Sequence, residues 1–119
     1  MSNKHQIEDL DGITKILFRD TPTFDEVKTI IDDIAKNYSY ERRLWNFSNI
    51  DFHFTINELH DIAEYGKVKF VKPNKMAIVS PNINVDIEMV IFKVYRTQEG
   101  HSKTRAFRTE SEAIEWLNN

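Results

Sequence analysis

The chain has 119 residues, of which 40% are hydrophobic and 12% aromatic. That is enough for one domain with a real core, and too apolar for a disordered polymer even with 29% charged residues. Sixteen basic against 19 acidic residues leave a net charge of −3, which gives no global attraction to nucleic-acid phosphates or anionic lipid, and there is no Cys for a disulfide, a thiolate nucleophile or a cysteine zinc site.

Met1 to Leu10 carries Glu8 and Asp9 and no continuous apolar run, so a signal peptide or membrane span is not expected there. A reducing, cytoplasmic setting fits the absence of Cys. His5 to Leu10 reads as a weak first strand. Asp11-Gly12 follows as a two-residue loop in which Gly accepts the positive φ of a type I′ turn, so the sheet opens with an antiparallel hairpin into a second strand over Ile13 to Arg19.

Thr23-x-x-Glu26 is the signature of a capping box, in which the Thr hydroxyl accepts from the third helical amide and the Glu carboxylate accepts from the amide of the Thr. Behind it Phe24, Val27, Ile30, Ile31 and Ile34 recur at three- and four-residue steps, which predicts a helix with one apolar stripe ending near Asn37. Arg42 to Phe47 reads as the third strand. A second capping box, Thr55-x-x-Glu58, opens a helix with Ile56, Leu59, Ile62 and Ala63 inward, and Gly66 with the lysines beyond it marks a fraying or terminating last turn.

Met76 to Val79 follows as a strand. Pro81 to Arg96 carries both periods, since Ile83, Val85, Ile87 and Met89 alternate while Ile87, Val90, Ile91 and Val94 suit a helix; a length of about fifteen residues without a turn signal favours a helix. Thr104 to Phe107 is the last strand. A third box, Thr109-x-x-Glu112, leads into a short helix with Ala113, Ile114, Trp116 and Leu117 inward. The expectation is a single α/β domain over residues 1–119, order ββαβαβαβα, with a mixed, mostly parallel sheet formed by strand–helix–strand crossovers.

In such a sheet the loops at the carboxyl ends of the parallel strands form the usual binding crevice, here Ser48 to Phe54, Ser80 to Asn82, and Arg108 to Thr109. Helix starts converge there, although Thr side chains suffice to cap their amides. His60 and Glu64, at i, i+4, with Asp61 and His53 nearby, are the only group resembling metal ligands; two ligands on a solvated face do not make a site, and no His-Glu-x-x-His pattern exists. None of Gly12, Gly66 and Gly100 opens a helix after a strand, so no phosphate loop and no nucleotide cofactor are expected. Ser48 and Ser80 lie at strand ends without a nucleophile-elbow motif. Lys67, Lys69, Lys72 and Lys75 crowd the exit of the second helix, where the helix dipole alone accounts for Lys67 and Lys69.

Leu44-Trp45-Asn46-Phe47-Ser48-Asn49-Ile50-Asp51-Phe52 resembles the segment before the regulatory helix in STAS domains of the SpoIIAA-like group. Further similarity lies in Ala63-Glu64-Tyr65-Gly66, Asn74 to Val79, and Arg105 to Thr109 leading to Trp116-Leu117. The resemblance implies a STAS-like fold and a bacterial cytoplasmic module that acts by protein contact rather than catalysis; on the composition and motifs above, no cofactor and no metal are expected. Some relatives are switched by phosphorylation of a Ser at the start of the helix, which by position is Thr55 here. The group's Asp-Ser pair with small residues and Gly is replaced by Phe54-Thr55-Ile56-Asn57.

The expected contact residues are thus Asn49, Asp51, Phe52, Phe54 and Thr55, and the expected partner is another protein, a second copy of the chain included. The alternative is a carrier or sensor of a small apolar or anionic ligand of the lipid-transfer type, to which the group has been likened, with Phe52, Phe54, Phe70, Met89 and Phe92 lining a pocket; these aromatics serve equally as core.

Overall fold

A computed structural model of the chain describes residues 4–38, 41–50, 55–70, 74–80 and 102–119. Five strands form one sheet: β1 (His5–Leu10), β2 (Ile13–Phe18), β3 (Arg42–Asn46), β4 (Asn74–Val79) and β5 (Ser102–Phe107). Among the described residues there are three helices, α1 (Phe24–Asn37), α2 (Ile56–Lys69) and α3 (Glu110–Leu117). The strands lie side by side in chain order; β1 is antiparallel to β2, and every other pairing is parallel. The expected fourth helix, Pro81 to Arg96, lies outside the described residues.

The hairpin forms as its turn chemistry dictates. Asp11 and Gly12 sit at φ 51° and 87°, both positive as a type I′ turn requires, and the Asp9 carboxylate accepts the Gly12 N–H at 2.9 Å. Leu10 then pairs with Ile13, and the register runs without a bulge to His5 opposite Phe18.

Side chains alternate across the sheet, and each face has its own cluster. On one face, Val27, Ile30, Ile31 and Ile34 of α1 and Ala63 of α2 bury Ile16 and Phe18 of β2, Trp45 of β3 and Met76 and Ile78 of β4. Phe18, Trp45 and Phe47 stack almost parallel there, with Phe18 and Phe47 centroids 4.8 Å apart. On the other face Ala113 and Leu117 of α3 cover Ile13, Leu44, Ala77 and Val79. The central strands are apolar on both sides because helices cover both, whereas β1 is half exposed.

As expected, Gly66 marks the last turn of α2: it is buried there, and the helix runs to Lys69, with the Phe70 N–H donating to the Gly66 carbonyl at 2.8 Å. This last turn delivers Phe70 to the core, where its ring lies 3.9 Å under the guanidinium of the fully buried Arg43. The lysines near the helix exit diverge. Lys69 stays on α2 beside Asp32 at 3.4 Å, while Lys75 points to the opposite face, where its ammonium donates to the carbonyls of Trp116 and Asn119 at 2.9 Å each and caps α3; Lys72 lies outside the described residues.

Candidate functional site

Because β2 to β5 run parallel, their carboxyl ends share one edge of the sheet, and α1, α2 and α3 start close to it in the chain. Each start is closed by its own threonine. Thr23 accepts from Glu26 N–H and Thr55 from Glu58 N–H, both at 3.1 Å, and the two glutamates return the bond to the threonine amides at 2.9 and 3.0 Å. Thr109 departs from this pattern: its hydroxyl accepts from Glu112 N–H at 3.3 Å but also donates to the Glu112 carboxylate at 2.9 Å, in place of the backbone bond of a full box.

The exit of β3 is a small built turn. Asn46 ends the strand, and its side-chain oxygen accepts the Ser48 N–H at 2.8 Å. The Phe47 N–H donates to the Val79 carbonyl at 2.8 Å, and the Ile50 N–H donates to the Phe47 carbonyl at 3.3 Å. Phe47 and Ile50 are buried and act as apolar feet, so Ser48 and Asn49 between them stand in water. Of the expected contact residues, Asn49 is therefore exposed on an anchored turn and Thr55 is exposed as the cap of α2, whereas Asp51, Phe52 and Phe54 lie outside the described residues. Phe70, expected either in a pocket or in the core, is in the core.

Behind this turn lies a polar network that sequence reading missed. The Asn46 amide donates to one Glu110 oxygen at 2.6 Å, and Lys15 of β2 reaches the other at 2.7 Å and Glu8 of β1 at 3.6 Å. Burial works against the Lys15 charge, but the hydrogen bond and charge of Glu110, helped by Glu8, outweigh it and hold the ammonium pKa above its ordinary value. The network ties β1, β2 and β3 to the first residue of α3. Its only trace in the sequence is a Lys placed between apolar residues of β2, a signal that names no partner.

Elsewhere His60 and Glu64 form an exposed pair, Nε2 to Oε1 3.9 Å, and among the described residues no group of three or more His, Asp or Glu is placed to hold a metal ion. His53 lies outside them. A cleft of about 250 Å³ opens between α1 and the start of β1, floored by Phe18, Pro22 and Ile30 and rimmed by Lys4, His5 and Asp25. It is smaller than the ~300–1,000 Å³ of ordinary small-molecule pockets. No described helix is long and apolar enough to cross a membrane.

No family model, curated protein or solved structure matches the chain.

Proposed function

We propose that the chain is a STAS-like, non-enzymatic regulatory module that binds a protein partner in the cytoplasm through the β3 exit, from Ser48 to Thr55, and the exposed face of α2. The observation that carries this reading is the β3 turn itself. Two polar residues, Ser48 and Asn49, are lifted into solvent on buried feet and pinned by Asn46, one short segment before an exposed helix start at Thr55. A pre-ordered tip of this kind lowers the entropy cost of docking. The resemblance of the Leu44 to Phe52 segment to the SpoIIAA-like group supports the same surface, as does the mixed sheet with helices on both faces.

Thr55 is the natural switch of this surface. A phosphate there adds about −1.5 to −2 charge at a helix N-terminus, which the helix dipole favours. It also confronts Glu58, whose carboxylate already occupies the Thr55 amide. The carrier reading draws less support, because the described cleft is small and one amide at each of the α1 and α2 starts is taken by the chain's own threonine.

The test is site-directed photo-crosslinking in cells. A crosslinker at Asn49 should trap one dominant protein, and a crosslinker at the exposed Glu115 on α3 should not trap it. An equal pattern from both positions, or no product from Asn49, counts against this surface.

A further inference from the structure

We propose that β1 is a self-pairing edge, through which two copies of this chain join antiparallel into one continuous sheet, with the two-fold axis at Ile7. This inference makes no use of the β3 exit and stands or falls apart from the function proposed above.

The backbone of β1 has a definite parity. Leu10 and Ile13 flank a two-residue turn, which makes them a hydrogen-bonded pair, so the peptide groups of Leu10, Glu8 and Gln6 point toward β2. The Lys4 carbonyl, accepting from Arg19 N–H at 2.8 Å, continues the same series. The N–H and C=O groups of His5, Ile7 and Asp9 therefore point outward from the edge of the sheet, where β1 has no neighbouring strand among the described residues. An antiparallel partner must set outward groups opposite outward groups. Centring the pair on Ile7 does so, placing His5 opposite the partner's Asp9 and Ile7 opposite the partner's Ile7.

The side chains are complementary in that register. On the face shared with α1, the His5 imidazole stands opposite the carboxylate of the partner's Asp9, and the two half-buried Ile7 side chains meet at the axis. On the other face Gln6 stands opposite the partner's Glu8. Centring on Glu8 instead sets two glutamates directly opposite each other, a destabilising pair, and centring on Gln6 sets Asp9 and Leu10 opposite residues 3 and 2, outside the described residues.

Among the described residues the edge also lacks several of the usual protections. β1 has no Pro and no bulge, and its acids are already engaged: Glu8 is drawn back by Lys15 at 3.6 Å, and Asp9 accepts from Gly12.

The experiment is sedimentation of the full chain over a micromolar concentration series, with amide hydrogen exchange on the same samples. Wild type should dimerise, and dimerisation should protect the amides of His5, Ile7 and Asp9, while those of Gln6, Glu8 and Leu10 are protected at every concentration. Ile7→Pro removes an outward N–H in each copy without touching the β1–β2 ladder, and should weaken association about tenfold or more. Because Ile7 also packs on the core, Gln6→Glu is the second variant. It keeps the acceptor for Arg19 in the monomer and sets two carboxylates opposite each other twice in the dimer, so it should weaken association while leaving the melting temperature of the dilute, monomeric chain unchanged. A chain monomeric throughout the series overturns the proposal and leaves the edge to a strand of another protein. So does a dimer that both variants leave intact, or one without the alternating protection.

Discussion

Removing the Asn46 side chain should destabilise the protein more than any other polar change on the rim, because it holds two elements at once. Asn46 is 6% exposed, and Asn46→Ala deletes one charge-assisted bond to Glu110 and one neutral bond from Ser48 N–H. Taken together these are worth about 2–4 kcal/mol, and the lower half is favoured because Lys15 still pairs with Glu110 at 2.7 Å. For a domain of this size that is a fall in Tm of roughly 8–15 °C, measured by circular dichroism on a reversible melt. Asn46→Asp separates the two bonds. It keeps the acceptor for Ser48 but sets a carboxylate against Glu110 across the 2.6 Å contact. Like charges raise the folded pKa of one of the two carboxyls, and a raised pKa contributes stability fully present below the unfolded value and lost as pH rises through the folded one. The deficit of Asn46→Asp should therefore be largest near neutral pH and shrink toward about pH 4. An Ala variant that melts with the wild type, or an Asp variant whose deficit is the same at both pH values, refutes the assignment.

Thr23→Ala and Thr55→Ala should each cost about 1 kcal/mol in urea denaturation, and should add in the double variant because the two boxes share no partner. At Tyr65, the hydroxyl donates to Asp32 at 2.6 Å, with Lys69 beside them. That hydrogen bond, with Lys69 assisting, holds the Asp32 pKa below the usual carboxylate value; the same bond raises that of Tyr65, against the opposing charge of Lys69. The stabilisation is present above the ordinary carboxylate pKa and is lost as pH falls through the lowered one; at the alkaline end it is lost as pH rises through the raised tyrosine value. Asp32→Asn should flatten both limbs of a stability-against-pH curve, and parallel curves for variant and wild type would show that the pair contributes nothing.

What could be read from the sequence was what is decided within a few residues. Asp11-Gly12 specified its own turn, Thr23 and Thr55 with Glu26 and Glu58 their own caps, and the stripe from Val27 to Ile34 its own buried face. What could not be read depends on contacts distant in sequence. Nothing local reveals that the end of α2 seats Phe70 under Arg43. Nor does anything local reveal that Lys69 stays on α2 beside Asp32 while Lys75 reaches the carbonyls at the end of α3 on the other face. The pairing of Asn46 with Glu110 spans 64 residues, and only the register of β3 and the seating of α3 bring them together.

The capped helix starts constrain any recognition at this rim. A helix N-terminus attracts anions through amides left without partners, and here Thr23, Thr55 and Thr109 each occupy one such amide, with Glu26 and Glu58 adding their own negative charge in the first turn. At α1 and α2, free phosphate or an acidic ligand thus meets an amide already taken by a threonine hydroxyl, with a glutamate carboxylate beside it. A covalent phosphate on Thr55 differs, because it arrives tethered and competes with Glu58 at high effective concentration. Phosphorylation of Thr55 would exchange one anion for another at the start of α2 and change the charge presented beside Ser48 and Asn49. A partner that reads this rim would therefore distinguish the two states by surface charge.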